Sequence, residues 1–386
     1  MNMNSTIKTL IMALALATAA ITAMAATPDE ALAALKKTIA PDNRTAVWDV
    51  NAVEQDGQWV LTGTVGTQEQ KQAIVKEMNK QGYPSFTDVI TVLEDAIPAD
   101  HKWAQVKLSI ATLRTGASHS AEIATQGIMG APVKVLEQAD DWYRVQMADD
   151  YIAYVPASSL SFKTAEQMKQ WRHAKRYIVT AYDSRLVTAP GGDETVSDLV
   201  MGDILEFRSE ASGWLMLATP DGRTGYVPAA DMAELSHLAK QKFSAEQILK
   251  TAKRMMGSSY LWGGTSTKVT DCSGLAKVSY LSNGIILQRD ASQQALYGQI
   301  MERGTDWREY EAGDLLFFGN EATGRVTHVG IYLGDCKYIH CSGQVKINSL
   351  DPAAEDYLYS PLTASRIRGM VGKPGITALR KHPWYF

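Results

Sequence analysis

The chain has 386 residues, with 38 Lys+Arg against 42 Asp+Glu and a formal net charge of −4. At roughly 100–200 residues per domain, that length implies two to four domains. With 45% hydrophobic and 21% charged residues, a disordered chain, a polybasic nucleic-acid binder and a small disulfide-stapled fold are excluded, and charge alone names no partner.

Residues 1–25 read as a secretory signal. Lys8 is the only positive charge, Leu10 to Ala20 is apolar, and Ala23-Met24-Ala25 supplies a small-x-small cleavage site. No later run approaches the ~20 apolar residues of a membrane span, so export to the periplasm is expected. Residues 27–99 form a small α/β module. A helix with Leu32, Leu35 and Ile39 on one face leads to two strands joined across Asp56-Gly57. Thr67 and Gln70 then cap a helix that ends at Gly82, and Phe86 to Leu93 is strand-like. This αββαβ order distantly resembles BON-type modules.

An internal repeat follows. Gly130, Trp142 and Tyr154-Val155-Pro156-Ala157 recur as Gly202, Trp214 and Tyr226-Val227-Pro228-Ala229, in 12-residue steps with a shift of 72. Short alternating segments separated by turn residues predict small β-barrels over 103–163 and 177–235, linked by the polar, helical stretch 164–176. The spacing and the YVPA ending resemble bacterial SH3-type domains, for which wall binding and packing against a catalytic domain are both open.

The last segment, 243–386, opens with Ser244 and Gln247 capping a helix that stops at Gly257. Tyr260-Leu261-Trp262-Gly263-Gly264 predicts a tight loop. Asp271 then reads as the N-cap of a helix whose first residue is Cys272, since Leu275, Val278 and Leu281 repeat at helical spacing. Backbone N–H groups and the positive dipole end at that place are expected to favour thiolate over thiol.

The three cysteines are Cys272, Cys336 and Cys341, and an odd number in an exported chain leaves a thiol unpaired. A Cys336–Cys341 disulfide is rejected, because five extended residues span roughly 16 Å and place the side chains on opposite faces. A zinc site of Cys336, His340 and Cys341 lacks the usual knuckle spacing.

Thr327, Val329, Ile331 and Leu333 are expected on one face of a strand, with His328 and Tyr332 on the other and Gly330 between them. A histidine beside glycine has room for a thiol or substrate to approach, which suits a general base. If the turn after Gly334 has three residues, Gly330 lies opposite His340, and His328 and His340 meet diagonally on one face. A two-residue turn separates them.

Taken together, YLWGG-x₆-DCSG, DLLFFG at 314–319, THVGIYLG and YIHCSG resemble the NlpC-type cysteine peptidases, compact relatives of papain that act on cell-wall peptides. The resemblance implies a papain-like catalytic domain within a multidomain α+β chain, with Cys272 as nucleophile, His328 as base, His340 as orienting residue and Tyr260 near the oxyanion. No metal or cofactor is implied. Two SH3-type modules ahead of such a domain are similar to the γ-D-glutamyl-L-diamino acid peptidases, also called dipeptidyl-peptidase VI. That likeness implies peptidoglycan-derived peptides as substrates, cleaved between D-glutamate and lysine or diaminopimelate when L-alanine carries a free amine. It also implies that Glu122 and Tyr151 of the first module help to recognise this amine. Asp271 and Ser273 flank the nucleophile and suit the same task. Two alternatives stay open, an N-acetylmuramoyl-L-alanine amidase and a non-catalytic wall-binding protein.

Overall fold

The computed structural model describes residues 26–386; the expected signal segment, 1–25, lies outside them. The chain divides into two compact units, one of residues up to Pro41 together with Val47–Val92, the other of Asp42–Ala46 with Leu93–Phe386.

In the smaller unit, α1 (Pro28–Ile39) starts at a Thr27/Glu30 capping box, and β1 (Trp48–Gln55) turns back into β2 (Gln58–Val65). The Thr67/Gln70 capping box starts α2 (Gln68–Lys80), and β3 (Phe86–Val92) pairs parallel with β2. Leu32, Val50, Leu61, Val65, Ile74, Met78 and Ile90 form its core. The αββαβ order is the one expected from the capping signals and the alternation.

The larger unit begins with seven strands: β4 (Trp103–Val106), β5 (Ile110–Arg114), β6 (Ile123–Ile128), β7 (Pro132–Ala139), β8 (Trp142–Gln146), β9 (Ile152–Pro156) and β10 (Leu160–Lys163). After helix α3 (Ala165–His173) come β11 (Arg176–Val179), β12 (Asp183–Val187), β13 (Thr195–Val200), β14 (Ile204–Ala211), β15 (Trp214–Ala218), β16 (Thr224–Pro228) and β17 (Met232–Glu234). The sheet orders, β10-β4-β7-β8-β9-β5-β6 and β17-β11-β14-β15-β16-β12-β13, are the same topology twice.

The repeat extends to irregularities. β7 bulges between Val135 and Glu137 and β14 between Phe207 and Ser209, the same place in each copy. A bulge bends a long strand, so each sheet wraps one core to which all seven strands contribute, around Leu113, Val133 and Val145 in one copy and Leu186, Leu205 and Leu217 in the other. The end strands of each sheet are not hydrogen-bonded to one another. The expected barrels are thus open ladders rather than closed ones.

Beyond the short helix α4 (Leu235–Leu238), α5 (Ala245–Arg254) and α6 (Cys272–Leu281) precede β18 (Ile285–Leu287), α7 (Ala291–Gln294), β19 (Gln299–Met301), β20 (Leu315–Asn320), β21 (Arg325–Gly334), β22 (Lys337–Ser342), β23 (Gln344–Ser349), β24 (Thr363–Arg366) and β25 (Ile376–Ala378). Six strands make an antiparallel sheet in the order β19-β24-β20-β21-β22-β23. Ile248, Ala252 and Leu275 of α5 and α6 pack with Phe317, Val329, Ile331 and Ile339 on one face. Leu316, Phe318, Tyr332 and Tyr338 form a second cluster on the other. Alternation along β21 therefore sorts two buried faces, whereas the sequence suggested one. Thr327, expected in the apolar row, is exposed because it precedes the covered part of the strand.

Candidate active site

Cys272 is the first residue of α6, as the sequence predicts. Asp271 takes an extended conformation and accepts the Gly274 N–H at 2.7 Å. The thiol is 9% exposed and receives the backbone N–H of Val329, the residue after His328. Burial, with Asp271 next in weight, pushes this thiol up to about 11. Removal from water and the neighbouring carboxylate raise the thiol against the lowering by the Val329 and Ser273 N–H groups and Arg289, opposite in direction to the expectation from the helix start alone.

The two histidines meet by an unexpected route. The β21–β22 turn has two residues, Asp335 and Cys336, both at positive φ (50° and 63°), and a two-residue turn was expected to separate them. A bulge between Tyr332 and Gly334 absorbs one residue and restores the Gly330–His340 pairing. His328 and His340 then lie diagonally on one face, with His328 Nε2 and His340 Nδ1 2.7 Å apart. Gly330 is required at the crossing, since a Cβ there would lie 2.7 Å from the Tyr338 ring and 3.3 Å from the His340 Cβ.

Burial and the adjacent His340 hold His328 down to about 3. His340, fully buried, is lowered by burial. Burial thus works against charge on both the thiol and the imidazole. Phe318 and Tyr359 flank His328, with ring centroids at 5.9 and 6.0 Å. Tyr260 is half-buried beside the thiol, and burial followed by Cys272 raises its hydroxyl to about 12.

Asp271 and Ser273, expected to face substrate, are turned inward at 5% and 4% exposure. Arg289, 1% exposed, binds Asp271 through Nη2 at 2.6 Å and Ser273 Oγ through Nη1 at 2.8 Å. Its Nε donates to Thr125 of the first repeat at 2.9 Å. Asp271 also accepts the Gly263 N–H at 3.0 Å. Both residues are scaffold for the Cys272 helix start, and the buried arginine ties that scaffold to the first repeat. A second tie is Thr265 N–H to Gln126 Oε1 at 2.8 Å. Gly263 also packs closely on the first repeat: a Cβ there would sit 2.4 Å from Ile123 Cγ2.

The acid beside this cluster with an exposed face is Asp290, its side chain 28% accessible. Tyr151 donates its hydroxyl to Asp290 at 3.2 Å, and burial raises that hydroxyl above the ordinary tyrosine range. Arg44, from the pentapeptide 42–46, binds Asp290 at 2.8 Å and Ser292 at 3.0 Å, while its carbonyl accepts the Ile152 N–H. Tyr151 is held in turn by Asp149, which accepts its backbone N–H at 3.2 Å and pairs with Lys277 of α6. Glu122 does not join this group. It is exposed, and among the described residues its carboxylate has no hydrogen-bonding or ionic partner.

Sequence reasoning missed Arg289, Asp290, Arg44 and Lys277, whose meaning depends on contacts across more than a hundred residues or on an irregular loop. It also missed Asn348, which accepts from His340 Nε2 at 2.8 Å. Alternation on β23 was the available signal for that residue. Cys336 occupies the turn, and Cys341 contacts the Thr270 carbonyl through its sulfur at 3.3 Å. All three cysteines are free thiols.

The profile of the NlpC/P60 family matches residues 257–366, and that of the bacterial dipeptidyl-peptidase SH3 domain matches 113–160. A relative named dipeptidyl-peptidase 6, from Lysinibacillus sphaericus, is 30% identical over 244 residues, covering 60% of this chain and 85% of that protein. The gamma-D-glutamyl-L-lysine dipeptidyl-peptidase of Bacillus subtilis (strain 168) is 28% identical over 230 residues, covering 59% and 75%. The crystal structure of an NlpC/P60 family protein from Bacillus cereus ATCC 10987 superposes with a TM-score of 0.61 at 22% identity, covering 69% of this chain and 99% of that one. It shares the fold.

Proposed function

The chain belongs to the NlpC/P60 family, and from that premise we propose that it is a cysteine peptidase. It hydrolyses the bond between the γ-carboxyl of D-glutamate and lysine or diaminopimelate in muropeptides with a free N-terminal L-alanine. The observation that carries this reading is the meeting of the Cys272 thiol, at a helix start, with the β21 backbone beside His328, whose imidazole is 2.7 Å from that of His340. The names of the Lysinibacillus and Bacillus relatives support the choice of bond.

Cys272 Sγ attacks the γ-carbonyl carbon while its proton passes to His328. Because burial disfavours charge on both groups, that transfer accompanies bond formation. The backbone N–H of Cys272, at the helix start and without an acceptor among the described residues, and the Tyr260 hydroxyl are donors for the developing oxyanion. The imidazolium of His328 then gives its proton to the departing amine, leaving a thioester on Cys272. Water, losing a proton to His328, attacks that thioester, and L-Ala-D-Glu leaves as the thiol reforms.

Asp290, with Tyr151 and Arg44 around it, takes the place first given to Glu122 as the acid that meets the alanine ammonium. Tyr151 of the first repeat, bonded to Asp290, bounds the site at that end, which suits a dipeptide-releasing enzyme. The segment 1–25 supports export, and the periplasm is the compartment where such peptides meet an exported chain.

Incubation with L-Ala-γ-D-Glu-diaminopimelate, with its N-acetylated form and with a muramoyl peptide tests the reading. Release of L-Ala-D-Glu from the free-amine peptide by wild type, and its loss in Cys272→Ala, is expected. Release of muramic acid would replace the reading with an amidase. The absence of any thiol-dependent product would replace it with a binding protein.

A further inference from the structure

The imidazole row does not end at His340. Gly330 faces His340 across β21 and β22, and Tyr338 faces Asn348 across β22 and β23. His328, His340 and Asn348 therefore occupy successive diagonal positions on one face of three neighbouring strands. His340 Nε2 is 2.8 Å from Asn348 Oδ1, and Asn348 Nδ2 donates to the backbone carbonyl of Asp356.

That last contact determines the direction of the others. A peptide carbonyl only accepts, so the Asn348 side chain must turn its amide nitrogen toward Asp356 and its oxygen toward His340. An amide oxygen also only accepts, so His340 carries its proton on Nε2. Its Nδ1 is then a lone pair, which accepts from His328 Nε2–H. The nitrogen left basic on His328 is Nδ1.

We propose that Asn348, oriented by the Asp356 carbonyl, is a positioning residue that locks both imidazoles in their Nε2–H tautomers and so leaves His328 Nδ1 as the free base. The role rests on the reading of His328 as general base. Asn348 is neutral, so it sets direction without adding the charge that a carboxylate would. The charged and titratable groups around the row are consistent with this division of labour. Lys346 lies directly opposite His340 in the ladder, Tyr338 and Tyr359 flank the rings, and Asp271 acts on His328 from the α6 side.

The test combines nitrogen NMR with kinetics on the full chain. In wild type, the His340 and His328 resonances are expected to report Nε2–H tautomers at pH 7. In Asn348→Ala, His340 is expected to mix tautomers and kcat to fall about tenfold or more with KM unchanged. In Asn348→Asp, the tautomer is expected to persist. A carboxylate stabilises imidazolium and raises its pKa, so the acid limb of the kcat/KM profile should move up by about one pH unit.

An Nδ1–H tautomer at His340 in wild type overturns the proposal. So does Asn348→Ala with an unchanged tautomer and unchanged kcat, or Asn348→Asp with an unmoved acid limb. Should wild type release no dipeptide, the peptidase reading fails, while the NMR arm still decides the lock. Melting temperatures of both variants separate loss of fold from loss of orientation.

Discussion

Gly330 stands directly opposite His340 in the β21–β22 ladder, and that single pairing brings His328, two residues upstream, to within 2.7 Å of the His340 ring. The pairing depends on a bulge and on the missing side chain at position 330.

Gly330→Ala should therefore damage the site through its geometry. The added Cβ meets the Tyr338 ring at 2.7 Å, so Tyr338 or His340 must shift. Overpacking of this kind costs about 1–3 kcal/mol. A lowered melting temperature and a larger drop in kcat than in KM are the expected outcome. Retention of full kcat would mean that the His340 position is not critical.

The resting thiol should behave as a buried one. With Cys272 raised to about 11, its thiolate fraction grows about tenfold per pH unit below that value. Alkylation by iodoacetamide without substrate, followed by peptide mapping, should accelerate steadily from pH 7 to pH 10. A plateau already reached at pH 7 would show a preformed thiolate–imidazolium pair.

Much of this site is legible in the residue order, and the limit of legibility is physical. The Cys272 helix start could be read because Asp271 and Gly274 cap it locally, within three residues. The SH3-like repeats could be read because each copy carries its own glycine, tryptophan and YVPA. His328 and His340 meet by a route that alternation alone does not encode, because the two-residue turn and the bulge after Tyr332 compensate each other. Arg289 was invisible because its partners Thr125 and Asp271 lie on different modules. The upward push on the thiol was not legible because a helix start can be read from sequence, whereas burial cannot.

The Lys277–Asp149 pair ties the Cys272 helix to the strand turn that carries Tyr151, and both side chains are largely buried. Removing one partner leaves an uncompensated charge, so Lys277→Met should destabilise the chain by about 3–5 kcal/mol. Asp149→Leu added to it should recover most of that loss. Chemical denaturation of the single and double variants checks this. A double variant as unstable as the single one would show that the charge was not the cause.

The central claim is a dipeptidyl thioester on one sulfur. Acid-quenched reactions of wild type with excess L-Ala-γ-D-Glu-diaminopimelate, digested and read by mass spectrometry, measure it directly. The expected result is an L-Ala-D-Glu adduct on the Cys272 peptide, formed and lost at the rate of turnover, with neither adduct nor product from Cys272→Ala. Undiminished release of L-Ala-D-Glu by Cys272→Ala would contradict it.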